Sequence, residues 1–277
     1  MGQRGAGFAI VFIAIIFGAA LLVLNDKTTM VSKLVEQLNY LVQFIIKYIN
    51  AFIPPVIFCS IFNMIVSGNS DIGFSSLKPI LLTIMCCVIM SAVYVAVVCA
   101  RRRISPILLV KKLMPTFLIA ITTASSAAAF ATNIETCEKK LGIDKKIINF
   151  GLPLGQSVFM PAAEALFFIM GLCMAETFSV PITAMLLINL FIIALVLAIA
   201  APPVPGGFGA CVTILITQAG IPEAAIPIVI AMSMILDFFC TATNLFCLQA
   251  ELIELAGSLD MLDTELLRTN PINTRYH

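Results

Sequence analysis

The sequence predicts an all-α integral membrane protein of about five transmembrane helices, with two re-entrant helical hairpins that enter and leave on the same side. Three observations carry this expectation. Of the 277 residues, 61% are hydrophobic and 11% charged, and the mean hydropathy is +1.08, which is a membrane rather than a soluble composition. Long apolar stretches alternate with short polar turns. Two of the apolar stretches are interrupted at mid-length by residues that cannot continue a helix. The net charge of +1 gives no basic face for nucleic acid. The nine cysteines sit mostly inside apolar runs and read as small buried thiols. His277 is the sole histidine, so nothing has zinc spacing.

The first apolar run, 7–24, ends at Asn25-Asp26-Lys27 with no small-residue cleavage site behind it, so it reads as a span and not a signal peptide. A second long helix is expected from Met30 to about Val66, broken at Pro54-Pro55, with a turn at Gly68-Asn69-Ser70-Asp71. A third span, about 79–100, stops at Arg101-Arg102-Arg103, with Lys111 and Lys112 just beyond. The first hairpin, about 112–136, has the small hydroxyl residues Thr122-Thr123-Ala124-Ser125-Ser126 at its middle. Such a non-helical tip is tolerated at membrane depth only when it is buried in protein or lines a water-filled cavity. Lys139, Lys140, Lys145 and Lys146 follow. If the hairpin returns to its own side, the basic clusters before and after it share one face, which the positive-inside rule makes the cytoplasm. If it spans, they fall on opposite faces and the rule is broken.

The next span is expected at about 147–175. The second hairpin, about 182–220, is interrupted by Pro202-Pro203-Val204-Pro205-Gly206-Gly207-Phe208-Gly209, with three prolines and three glycines in eight residues. Its flanks carry Glu176 and Glu223 but no Lys or Arg, as an outer face should. The last span, about 224–250, carries the densest chemistry. Asp237, Thr241 and Asn244 recur at i, i+4 and i+7 on one helical face, with Cys240 beside them, and no Lys or Arg lies between Lys146 and Arg268. A carboxylate in such a helix marks a site more readily than a polar seam between helices. The tail, 251–277, reads as a helix end and a loose cytoplasmic terminus. Two interrupted apolar segments in related positions point to a transporter built from inverted repeats, with its site at the midplane.

Four motifs in this order resemble the dicarboxylate/amino acid:cation symporters, the glutamate-transporter homologues: Thr123-Ala124-Ser125-Ser126, Leu152-Pro153-Leu154-Gly155, Val204-Pro205-Gly206-Gly207, and Ile235-Leu236-Asp237 with Thr241 and Asn244. The resemblance covers nearly the whole chain and implies that the family's first three helices are absent. It assigns 1–78 to scaffold-like helices resembling the family's fourth and fifth. It assigns 79–250 to the moving transport domain: sixth helix, hairpin 1, seventh helix, hairpin 2 and eighth helix. It implies a homotrimer surrounded by lipid in the plasma or inner membrane, multi-pass, with the C-terminus cytoplasmic. By similarity, Ser126 with the backbone of the first tip (Ser125) and Asn244 would hold an amino acid's α-carboxylate. Asp237, helped by Thr241, would take the ammonium, and Val204, Pro205 and Gly206 would close over the ligand.

Departures from the family pattern define the rest. Cys240 stands where acidic-substrate members carry an arginine, so a small neutral amino acid is expected, with Cys240 bordering the pocket. An acidic amino acid or dicarboxylate is the alternative. The family's Asn-Met-Asp-Gly-Thr reads Phe159-Met160-Pro161-Ala162-Ala163, and its last sodium-binding carboxylate falls at Leu248. The candidates for ion coupling are Ser157, Phe159, Glu164 and Asn244, with sodium or a proton as the coupling ion and no other cofactor. Glu164, one turn beyond the altered motif, is a candidate proton site or else a neutral acid bonded to backbone. A degenerate transporter and a split subunit needing a partner remain open. An intramembrane enzyme is disfavoured, since no base stands beside Cys240.

Overall fold

In the computed structural model, residues 70–201 and 206–269 are described, with scattered helical positions between 17 and 41. Apart from those positions, the first two expected spans and Pro54-Pro55 lie outside the described residues. The helices are α1 (Ser70–Arg102), α2 (Pro106–Thr123), α3 (Ser126–Lys139), α4 (Lys145–Val158), α5 (Pro161–Thr177), α6 (Ala184–Ala200), α7 (Gly207–Ala219), α8 (Ile226–Ser258) and α9 (Thr264–Arg268). A 3-10 turn, Glu223–Ala225, leads into α8. Among the described residues four stretches are long and apolar enough to cross a membrane: Leu77–Arg102, Pro106–Thr123, Lys145–Thr177 and Glu223–Ser258. Outward-facing Leu81, Met85, Val88 and Val93 on α1 give it the apolar exterior that a lipid-embedded helix needs.

The segments expected as hairpins form two pairs of consecutive helices that pack on each other. The first is α2 and α3, parted at Ala124-Ser125, where Ala124 takes a left-handed φ of 47° and Ser125 caps α3 by accepting from the Ala128 N–H at 3.2 Å. Its open ends meet, because the Lys112 ammonium donates to the Lys140 carbonyl at 2.8 Å. The hairpin therefore begins earlier than the lysines suggested. Lys111 and Lys112 lie inside α2, which starts at Pro106 because proline suits a helix's first position. Lys112 is buried since its ammonium also meets the Leu266 carbonyl at 2.6 Å. The second hairpin is α6 and α7. Leu190 of α6 and Leu215 of α7 close over the same glycine, Gly171 of α5, where an added Cβ would stand 2.6 Å and 3.4 Å from them.

Within the stretch Lys145–Thr177, which is long and apolar enough to cross a membrane, the helix is broken once. α4 ends at Val158 and α5 starts at Pro161, with Phe159 (ψ 85°) and Met160 (ψ 59°) non-helical. Pro161 has no N–H and pushes the residue before it out of the helical region. The tail departs from expectation. It continues α8 to Ser258 and then docks through α9: Asp144 N–H donates to the Met261 carbonyl at 3.1 Å and Asp263 N–H to the Gly142 carbonyl at 2.8 Å, with Leu267 buried.

Two apolar cores result, and α8 threads both. One joins α5, α6 and α7 to the first half of α8, through Cys240. The other joins α2, α3 and α4 to the second half of α8, from Ala242. Contact along α8 is close because Gly151 and Gly155 of α4 let Leu252 and Leu248 approach, an added Cβ standing 2.9 Å and 2.3 Å from them. A buried polar knot fixes the first hairpin to α8. The Gln249 amide donates at 2.8 Å to both the Thr116 hydroxyl on one arm and the Asn133 carbonyl oxygen on the other. At the basic end, the Arg102 guanidinium pairs with Glu254 at 2.9 Å, and Arg268 donates to the Arg102 carbonyl.

Gly155→Val should overfill the α4–α8 contact and cost about 1–3 kcal/mol, read as a lowered melting temperature in detergent. Adding Leu248→Ala should recover part of that loss.

Candidate functional site

The polar face of α8 lies where the two cores meet, and it is buried: Asp237 is 2% exposed, Asn244 5% and Thr241 7%. Three interruptions of helix come to it. They are the first hairpin tip at Ala124-Ser125, the α4–α5 break at Phe159-Met160, and the second hairpin tip, whose described residue Gly206 holds a φ of 77° that favours glycine. At each interruption a side chain reaches a backbone group. Asp237 Oδ2 accepts the Gly206 N–H at 2.9 Å, while Oδ1 accepts the Thr241 hydroxyl at 3.0 Å. Asn244 Oδ1 accepts the Ala162 N–H at 2.8 Å, capping α5 from across the bundle. Gln156 Nε2 donates to the Ser126 carbonyl.

Ala124, Ser126, Gln156, Phe159, Met160, Phe208, Asp237, Thr241, Asn244 and Leu245 line a cavity of about 20 Å³, room for about one water. No lysine or arginine is among them. A larger recess of about 590 Å³ adjoins it, sharing Ser126, Gln156 and Met160 and reaching Ser157 and the end of α6. Among the described residues, two polar atoms on the cavity's walls are buried without a partner: the Asn244 Nδ2 donor and the Gln156 Oε1 acceptor. Their identities are fixed, because each amide's other end is committed to a backbone group of known sense. The amino ends of α3, α5 and α7 all approach the site and bring partial positive charge to it.

The expected residues divide. Ser126, Asp237, Thr241 and Asn244 converge on the cavity, Gly206 reaches it through its N–H, and Ser125 shapes the tip as a cap. Phe159 lines the cavity, edge-on to Tyr94 at 6.1 Å. Val204 and Pro205 lie outside the described residues. Cys240 does not border the cavity as expected. It is fully buried, and its thiol lies against that of Cys87 in α1, because its position beside the stripe's axis turns it to the α1 interface. Ser157 is exposed in the larger recess and donates to the Pro153 carbonyl at 3.0 Å. Glu164 sits half-buried in the first turn of α5, not on the cavity wall. Leu248 is packed on Gly155. Gln156 was missed, although a glutamine in an apolar run just before Pro161 was there to be read.

The profile of the sodium:dicarboxylate symporter family matches residues 3–248. The chain is 25% identical to the human neutral amino acid transporter A over 238 residues, covering 85% of this chain and 45% of that protein. It is 27% identical to the L-cystine uptake protein TcyP of Bacillus anthracis over 143 residues, 51% of this chain and 31% of that one. The chain thus spans less than half the length of these relatives.

Asn244→Leu should remove the side-chain cap that Ala162 N–H finds on α8 and lower stability by about 1–2 kcal/mol, measurable by thermal unfolding in detergent.

Proposed function

The chain belongs to the sodium:dicarboxylate symporter family, and from that premise we propose that it is a cation-coupled secondary transporter of a small neutral amino acid, working by alternating access. One observation carries the proposal. A buried carboxylate, Asp237, and a buried unpartnered amide donor, Asn244 Nδ2, face one cavity whose walls hold no cation. A zwitterion supplies what each lacks. Its ammonium neutralises Asp237, which would otherwise be a costly unpaired charge. Its carboxylate takes the Asn244 donor and the partial positive charge at the helix amino ends.

The absence of a cation from the walls also sets the selectivity. A second carboxylate, on an acidic side chain, would enter with nothing to pair it, at a cost of several kcal/mol. Phe159, Phe208 and Leu245 suit a small apolar or hydroxyl side chain instead. The cavity as it stands holds about one water, so a ligand requires the tips to part, and the recess shared through Ser126, Gln156 and Met160 is the natural way in. An intramembrane enzyme finds no support, since Cys240 points to Cys87 and not into the cavity.

Two of the family's ion-binding carboxylates are replaced here, by Pro161 and by Leu248 packed on Gly155. The proposal therefore includes a proton in place of, or beside, sodium, with Glu164 as its candidate carrier in the first turn of α5. Arg102, Lys112, Lys140 and Arg268 gather at one end of the bundle. The positive-inside rule assigns that end, with α9, to the cytoplasm of a plasma or inner membrane. A homotrimer built through the segment before residue 78 completes the proposal.

Uptake of a panel of labelled amino acids into proteoliposomes tests this function. Small neutral substrates should accumulate and glutamate should not compete. Equal uptake of glutamate and serine would sink the selectivity, and no uptake of any amino acid would sink the transporter.

Asp237→Asn should abolish binding measured by calorimetry while leaving the protein folded, because the ammonium loses its counter-charge.

If protons drive uptake, it should persist without sodium, and Glu164→Gln should make it indifferent to an imposed pH gradient. Strict sodium dependence untouched by that substitution would remove Glu164 from the mechanism.

A further inference from the structure

Gln156 carries none of the motifs that resemble the family, yet it stands on the last turn of α4 at the wall of the cavity, 9% exposed. Its amide is oriented by necessity. The Ser126 carbonyl can only accept, so the Gln156 end that meets it is Nε2, and Oε1 faces the other way. That oxygen is buried and has no hydrogen-bond partner. A buried acceptor without a donor destabilises the fold, and the deficit disappears when a donor arrives. Among the described residues, Gln156 Oε1 is the one orphaned buried acceptor on this cavity, as Asn244 Nδ2 is the one orphaned donor.

Asp237 needs the help. Each of its oxygens already accepts a bond, from Thr241 and from the Gly206 N–H, whereas a primary ammonium brings three N–H donors. Resting on the reading of this cavity as an amino acid site, we propose that Gln156 is a substrate-contacting residue whose Oε1 accepts one N–H of the ligand's ammonium beside Asp237. Its Nε2 keeps hold of the first hairpin tip meanwhile. One amide then joins ligand and tip. Each of its bonds strengthens the other, because an acceptor drawn toward a cation makes the amide N–H a better donor.

Two variants separate contact from tethering. Gln156→Met keeps the length and removes both hydrogen bonds. Gln156→Glu keeps acceptor oxygens and removes the amide donor. L-alanine and N-methyl-L-alanine, which carries one ammonium N–H fewer, are titrated into the purified full chain by calorimetry, with melting temperature as the check on folding. Gln156→Met should weaken L-alanine about tenfold or more and narrow the preference over the N-methyl compound, while Gln156→Glu should bind L-alanine at least as well as the original. Unchanged affinity in Gln156→Met overturns the proposal, and so does an equal loss in both variants, which would make Gln156 a tether of Ser126 alone. If Gln156→Met does not fold, Gln156→Glu decides: retained binding supports the contact, and loss overturns it. Failure of the unsubstituted chain to bind L-alanine overturns the amino acid site itself, and is seen before any variant is made.

Discussion

Backbone groups freed by broken helices have no water to turn to inside a bilayer, and each must find a partner within the protein. Three breaks meet beside the polar face of α8, and two freed N–H groups find side chains there, Gly206 on Asp237 and Ala162 on Asn244, while Gln156 reaches the Ser126 carbonyl in the first turn of α3. Much else follows from keeping those three partners in place. α8 must run straight through both cores to present two of them, and the glycine-lined contact with α4 brings the third within reach. The chemistry of the site is what remains on the same three side chains once the backbone has been served: a carboxylate with lone pairs to spare, one amide donor and one amide acceptor.

The two ends of the first hairpin are held very differently. Its base is locked by Lys112 on two carbonyls, and its middle by Gln249 on Thr116 and Asn133. Its tip is reached by Gln156 at Ser126, and the second tip's Gly206 by Asp237. Among the described residues, the base and the middle of the first hairpin are thus each tied by two bonds from one buried side chain. The tail contributes to this asymmetry, since α9 packs at the basic end and supplies one of the two carbonyls that keep Lys112 buried.

Much of this was legible in the sequence. The stripe of Asp237, Thr241 and Asn244 could be read because helical periodicity is local, and both hairpin breaks could be read because proline, glycine and left-handed turns are local too. The break before Pro161 has an equally local cause, since proline lacks an N–H and turns the residue before it out of the helical region. Cys240 failed for a reason that is not local. Its position on the helix was right, but which neighbour fills the adjoining sector depends on where α1 packs, and no periodicity within α8 says so. Gln156 and the Gln249 knot share that limit. A polar residue in an apolar run announces a partner without naming it, and here the partners lie 30 and 116 to 133 residues away in the chain.

The small size of the cavity has a kinetic meaning. With room for about one water, the form described here cannot be the form that first receives a ligand. On the proposed function, association would be limited by how often the tips part, and the apparent dissociation constant would be the intrinsic one divided by the fraction of molecules that are open. The Gly206–Asp237 bond sits in that fraction, since it holds the second tip to the carboxylate that a ligand must share. A change that weakened this bond without touching the cavity walls would speed association and tighten apparent binding. On the proposed function, affinity would then depend on how often the tips part as much as on the contacts of the cavity walls.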